Sequence, residues 1–491
     1  MSKRHATNTS RASSSSGLKA LLNGAGTACP CIHAGPGGAP ASRLAYHSQS
    51  PRARANHRSW PKDGLSRPGG RRSALSAFCA GRCLVAALAL SASPASAQEA
   101  LHYSLAGNAA AEARNLQQQP QDYTIKSGDF RLLVTPSLRF DWNSNINTAH
   151  TNALSDFILF PALGLDMSYP LTERNVLRLN VTFGYKEYLE QSQYSGWDVH
   201  SGSALSYDIY VKDFWINLHD RFSYSQDPSQ TAAVANTGTY GTAQNTAGLN
   251  TTWDLEDVTL SLGYDHLNYW STSQAYSYTD HASEMVVGRG GFKFHPTLTA
   301  GLEGTVSYTA YDQTALNNNM GYSAGVYADW QPGHYFHLQP RFGYMIYQFE
   351  QTSQTIPAVN QNAWYLDLTA THDISDAVSY SVSAGHELTL GIYGDTIEDW
   401  YLRPSVSLKI IKNLTLNTSF SYQHGTQGLG NLTGSLAENF DWFTWSIGLS
   451  RPLIKRLTIG LHYQLTLRTS NYPSREYNQN LVGLQLTYNL P

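Results

Sequence analysis

The stretch that most restricts what this chain can become lies near its C-terminal end, from Leu457 to Leu490. Leu457, Ile459, Leu461, Tyr463, Leu465 and Leu467 alternate there with Thr458, Gly460, His462, Gln464 and Thr466. A second run sets Val482, Leu484, Leu486, Tyr488 and Leu490 against Gly483, Gln485, Thr487 and Asn489. Successive side chains of a strand point to opposite faces, so each run is a strand with one apolar and one polar face. At a rise of ~3.3 Å per residue, about 10 tilted residues of this kind cross a hydrocarbon core. Tyr463 and Tyr488 on the apolar faces suit a headgroup boundary. The hairpin therefore predicts a transmembrane β-barrel.

The same alternation returns upstream. Leu132, Val134, Pro136, Leu138, Phe140 and Trp142 oppose Thr135, Ser137, Arg139 and Asp141. Leu177, Leu179, Val181, Phe183 and Tyr185 oppose Arg178, Asn180, Thr182 and Lys186. Comparable runs surround Leu260, Tyr380 and Leu416. Two irregularities stand out: Ile158 and Phe160 fall on an otherwise polar face, and Asp220 falls on an apolar one. Between the runs, tight turns such as Lys212-Asp213, Leu255-Glu256-Asp257 and Lys412-Asn413 alternate with longer polar segments. The longer class includes 227–244, 271–278, 351–361, 425–438 and 470–476. Short turns on the periplasmic side and longer loops outside are the pattern of an outer-membrane barrel. The expectation is an all-β, antiparallel transmembrane β-barrel of about 18 strands over residues 129–491. A β-propeller has a repeat of similar length, but its blades pair Gly-His with Trp-Asp, and here such dipeptides are scattered.

Composition changes ahead of this region. Residues 1–70 are rich in Ser, Gly, Pro, Ala and Arg and read as a disordered extension or a misassigned start. Residues 71–97 read as a signal peptide, with Arg71, Arg72 and Arg82, the apolar run Leu84–Leu90, and Ala95-Ser96-Ala97 as cleavage site. Residues 98–128 read as a periplasmic leader. All four cysteines precede Gln98, which excludes disulfides and thiolate sites downstream. Of the 33 basic and 36 acidic residues, 13 and 1 respectively precede Gln98, leaving 20 against 35 and a net of −15. That balance argues against a nucleic-acid partner. No run of apolar residues is long enough for a helical span.

Ile125-Lys126-Ser127-Gly128-Asp129-Phe130, followed by Thr135-Pro136-Ser137-Leu138-Arg139-Phe140-Asp141-Trp142-Asn143-Ser144-Asn145-Ile146, resembles the opening of the outer-membrane beta-barrel porin families of Gram-negative bacteria. The resemblance extends loosely over 125–491 and implies an outer-membrane location, with no catalytic residue to carry over. The C-terminal end is also similar to the signal that barrel assembly machinery reads, but Pro491 stands where an aromatic residue is usual.

Chemistry-bearing motifs are sparse. No Gly-x-Ser-x-Gly elbow, His-Glu-x-x-His site or phosphate loop is present, and no cofactor is implied. His386-Glu387, His219-Asp220 and Asp280-His281 are adjacent, but adjacent strand residues face opposite sides. Alternation places Arg139, Asp141, Asp166, Arg178, Lys186, Arg221, Asp265, Glu303, Arg341, Glu387, His462 and Arg468 on the inner wall, as candidate pore-lining residues. Charge bands facing each other across a lumen would tune selectivity, whereas pairing along the wall would stiffen it. Tyr269, Trp270, Tyr276 and Tyr278 cluster near one loop, where rings could stack on sugars or pack together. No long third loop of the kind that narrows general porins is evident; 146–156 and 227–244 are modest candidates. The expected function is a porin-like passive channel for small hydrophilic solutes, embedded in outer-membrane lipid. An export barrel and a surface hydrolase are the alternatives.

Overall fold

The computed structural model describes residues 123–428 and 437–491, so the 1–70 and 71–97 segments and most of the 98–128 segment lie outside it. The described strands of the first half are β1 (Ile125–Ser127), β2 (Phe130–Asn143), β3 (Asp156–Pro170), β4 (Val176–Tyr188), β5 (Gly196–Val199), β6 (Ala204–Val211), β7 (Phe214–Ser225), β8 (Thr242–Leu255), β9 (Val258–Ser271) and β10 (His281–His295). Those of the second half are β11 (Leu298–Tyr311), β12 (Asn319–Trp330), β13 (Phe336–Phe349), β14 (Gln361–Ser375), β15 (Val378–Leu390), β16 (Thr396–Ile411), β17 (Leu414–Gly428), β18 (Ala437–Ile454), β19 (Leu457–Ser470) and β20 (Tyr477–Tyr488).

All pairings are antiparallel and nearly all join neighbours in sequence. The long-range exception closes the ring: β2 pairs with β20, from Ser137 opposite Thr487 to Asn143 opposite Leu481. The seam is extended at both ends. Leu490 N donates to Val134 O at 3.0 Å, and Ser144 N to Asn480 O at 2.9 Å. Thr124 Oγ1 also donates to Leu490 O at 2.9 Å, so the segment before β2 pins the last residues of the chain. β1 folds back on the start of β2 and adds nothing to the circumference, although it lies in the span read as leader. β5 and β6 occupy one position, both between β4 and β7, separated by a short break at residues 200–203. The barrel therefore has the expected 18 staves.

Period-2 patterning explains which face looks where. On β9, Leu260, Leu262, Tyr264 and Trp270 are exposed to the membrane side, while Asp265, Leu267 and Tyr269 are buried inside. Both irregular readings hold. Ile158 faces inward and packs with Ile146 and Tyr188 beneath the first loop. Asp220 faces outward, where Asn245 Nδ2 donates to it at 2.6 Å. Outward Trp142, Trp197, Trp270, Trp364 and Trp400 lie towards the loop end, and Trp253 and Trp330 towards the turn end, as two interfacial girdles. The tight turns are two-residue links at Lys212-Asp213 and Glu256-Asp257, where Lys212 (φ 54) and Glu256 (φ 63) take the left-handed conformation such turns require. The strands run further than the sequence reading allowed at one loop: β17 continues to Gly428 and β18 resumes at Ala437.

Leu302, near the middle of β11, is 68% exposed on the outer face. Replacing it with arginine is expected to destabilise the inserted barrel by about 2–4 kcal/mol, the cost of a cation near the bilayer midplane. Urea unfolding from lipid vesicles measures this, and a Leu302→Arg protein as stable as wild type would show that this face does not meet lipid.

Candidate functional site

The inner wall carries paired charges. Arg139 Nε lies 2.7 Å from Asp141 Oδ2, and Lys186 Nζ 2.7 Å from Asp198 Oδ2. Arg178 pairs with Asp208, which also accepts from Trp215 Nε1 at 3.1 Å and Asn217 Nδ2 at 2.8 Å. Asp166 accepts from Asn180 on the next strand. Arg289 and Arg341 converge on Glu303, at 3.1 and 2.9 Å, and Arg341 reaches Asp367 at 3.5 Å. These wall charges form short-range pairs, within one strand or between strands one or two apart.

Glycines make these reaches possible. Glu303, Gly325, Gly343 and Tyr365 sit side by side on β11, β12, β13 and β14. The Tyr365 ring lies over both glycines and its hydroxyl donates to Glu303 at 2.9 Å. A Cβ at Gly325 would sit 2.1 Å from the Tyr365 hydroxyl, and one at Gly343 2.5 Å from its ring. Gly248 stands likewise between His219 and Asp265, which meet at 2.7 Å from β7 and β9. Gly483 stands between Asp141 and His462, which meet at 3.0 Å across the seam.

All twelve sequence-derived wall residues face inward. Arg139, Asp141, Arg178, Lys186, Asp265, Glu303, Arg341 and His462 belong to the pairs above. Glu387 is buried on β15, and Arg221 faces inward from β7. Arg468 is set apart, fully buried at the loop end of β19 and engaged with a loop. The reading missed Asp198, Asp208, His219, Arg289 and Glu438 as partners. Their parity on β5, β6, β7, β10 and β18 was readable, but which strand-to-strand register brought them opposite a cation was not.

The expectation of a lumen without a narrowing third loop is corrected. Residues 226–241, the third long loop, fold inward and cross to the far wall. Ala232, Ala233, Val234 and Ala235 are buried there, against Ile392, Tyr393 and Ile397 on one side and Phe440 and Trp442 on the other. Arg468 Nε donates to Ala232 O at 2.8 Å, and Arg475 Nη2 donates to Ala233 O at 2.6 Å. Nearer its root, this strap crosses the first loop: Asn236 N donates to Thr148 O at 2.9 Å, and Thr148 Oγ1 to Thr237 O at 2.9 Å. Thr148 (φ 45) and Asn236 (φ 59) are both left-handed at this crossing, a costly geometry for a β-branched residue. The sequence singled out 227–244 as a modest candidate, but its short length and lack of period gave no sign of its inward course or of its contacts on the far wall.

The aromatic cluster also divides. Trp270 points outward to the girdle, whereas Tyr269 points inward and its hydroxyl meets that of Tyr240 at 2.6 Å. Tyr276 packs edge-on against Tyr240 at 4.9 Å and against Tyr393 at 6.3 Å. These rings pack on one another and on the strap. Nearby, Asp395 accepts from Asn317 Nδ2 at 3.0 Å, and burial nevertheless holds its carboxyl above the usual carboxylate range. A raised acid favours its protonated form, so burial of this carboxyl costs the fold nothing in acid and costs progressively more as pH rises from the unfolded to the folded value, with the Asn317 hydrogen bond, which favours the carboxylate, offsetting part of that cost.

Charge is distributed unevenly along the axis. Among the described residues, the long loops carry Glu190, Asp227, Asp280, Asp312, Glu350, Asp395 and Glu476, and their one lysine or arginine, Arg475, is buried. The tight turns balance Arg174, Lys212, Lys412, Lys455 and Arg456 against Glu173, Asp213, Glu256, Asp257 and Asp376. No group of three or more His, Cys, Asp or Glu among the described residues is placed to hold a metal ion.

The family model described as "Putative beta-barrel porin 2" matches residues 121–490. The chain belongs to this porin family. Membership and fold imply an outer-membrane location. No curated protein matches the chain. Among solved structures it is similar to Pseudomonas aeruginosa OpdL, at 13% identity and a TM-score of 0.41, covering 74% of this chain and 100% of that one. It is similar to Pseudomonas aeruginosa OccK2 (OpdF) at 10% identity and a TM-score of 0.42, with 74% and 98% covered. OccK8 (OprE) from the same organism stands at 13% and 0.40, with 74% and 98% covered. These likenesses are remote, and the porin fold here rests on the strand pairing and the family match.

Glu303 is buried between two guanidiniums of this porin's wall. Glu303→Ala is expected to cost roughly 3–5 kcal/mol, because it strands buried cations without a counter-charge. The lost stability is read from urea unfolding of the inserted barrel. A change within experimental error would mean that the wall network contributes nothing to stability.

Proposed function

We propose that the protein is a passive channel for small hydrophilic solutes with a preference for cations. The observation that carries this reading is the wall: 18 staves, apolar outside and polar inside, enclose a cross-section in the range that leaves an aqueous lumen. The acidic loops support the sign of the preference. A mouth lined with carboxylates and, among the described residues, no exposed lysine or arginine concentrates cations and repels anions before they reach the strap. The paired wall charges contribute little net field of their own. Reversal potentials across a planar bilayer under a salt gradient are expected to show cation preference at low salt. That preference should fade as the Debye length falls from about 10 Å at 0.1 M to about 3 Å at 1 M. Anion preference would overturn the charge argument, and repeated insertions without current would overturn the channel.

We also propose export by a signal peptide cleaved after Ala97, followed by insertion through the barrel assembly machinery. The charged, apolar and small-residue segments between Arg71 and Ala97 support this. N-terminal sequencing of membrane-extracted protein is expected to begin at Gln98, and a protein still carrying residues 1–70 would refute the cleavage.

A further inference from the structure

The strap carries no charge of its own from Pro228 to Gly241. Everything electrostatic that holds its tip belongs to the opposite wall, and all of it converges on one carboxylate. Glu438, fully buried at the start of β18, accepts from Arg468 Nη2 at 2.9 Å, Arg475 Nε at 2.9 Å, Ser470 Oγ at 2.7 Å and Gln427 Nε2 at 2.8 Å. Three of these four donors also grip the strap. Arg468 holds Ala232 O, while Arg475 and Gln427 Nε2, the latter at 3.2 Å, both hold Ala233 O. Arg468 Nη1 further donates to Arg475 O at 2.7 Å, which ties the last loop into the same cluster.

We propose that Glu438 is the positioning residue that sets the aperture of this channel, acting through Arg468 and Arg475 on the strap. The inference rests on the channel reading above and adds the residue on which its cross-section depends. Two guanidiniums buried side by side repel each other and lack solvent; a shared carboxylate is what allows both to stay dry. Their remaining N–H groups then point at the two adjacent strap carbonyls, with Phe440 under Arg468 and Tyr393 under Arg475, each 4.6 Å from the guanidinium carbon. Without the carboxylate, water or an anion must enter to solvate both cations, and the space it takes is the space of the strap. The strap's root is tied separately at Thr148, so losing the clamp frees the tip alone.

The test uses the full chain and two readouts. Val234, fully buried at the strap tip, is replaced by cysteine, and maleimide labelling of that position is followed by peptide mass in proteins with Glu438, Glu438→Gln or Glu438→Asp. Labelling in the Glu438→Gln protein is expected to be roughly tenfold faster or more, because the buried cations lose their counter-charge, while Glu438→Asp, which keeps the charge, stays near the parent. In the second readout, without the cysteine, Glu438→Gln should raise single-channel conductance about twofold and admit larger sugars in liposome swelling, as a wider lumen requires. Unboiled protein that migrates apart from boiled protein on a detergent gel confirms an intact barrel. If Glu438→Gln does not assemble, Arg475→Gln removes one grip and is expected to move both readouts the same way by less. Unchanged labelling overturns the clamp whatever the conductance. Faster labelling with no current from any variant leaves the clamp standing and refutes the channel.

Discussion

Everything in this molecule depends on the need to pair backbone groups where no water can reach them. An unpaired N–H or C=O in hydrocarbon costs several kcal/mol, so a sheet in lipid cannot keep an edge. The seam between β2 and β20 removes both edges at once, and Thr124 and Leu490 extend it beyond the regular ladder. Once the ring is closed, the outer face has only to be apolar and the inner face is left open to chemistry. β1 and the split between β5 and β6 are tolerated because each leaves the ring intact.

The inner face is where burial and charge compete. A lone buried charge is far more costly than a paired one is beneficial, which is why the buried cations described above have carboxylates beside them. None of these pairs reaches beyond two staves, and inward glycines at positions 248, 325, 343 and 483 provide clearance for those that cross a strand. The strap follows the same rule in another form. Its neutral backbone carbonyls satisfy guanidinium donors that the carboxylate alone cannot occupy.

Period-2 alternation made the fold readable, and with it the inward parity of Arg139, Glu303 and Glu387. Parity is local: it depends only on counting residues along one strand. Partners were not readable, since Arg178 meets Asp208 and Arg341 meets Glu303 only through registers set across several turns. The strap was the least legible feature. Ala232 meets Arg468 from 236 positions away, and nothing in a short, uncharged, aperiodic segment announces that contact. Trp270 is a different case: it neighbours Tyr269 on a strand, so parity alone separates the two rings, and proximity in sequence was misleading.

The uneven placement of charge along the axis has a consequence for transport. Salt links that pair opposite charges at about 3 Å leave only short-range dipoles, whose field falls off faster with distance than that of an unpaired charge. A difference between the two ends remains: an excess of carboxylates at the loops against turns whose acids and bases balance. An ion entering from the loop end therefore meets a different potential from one entering at the turn end. Under voltages equal in size and opposite in sign the two currents through such a channel need not match, and any easy direction would be fixed by how the barrel inserts.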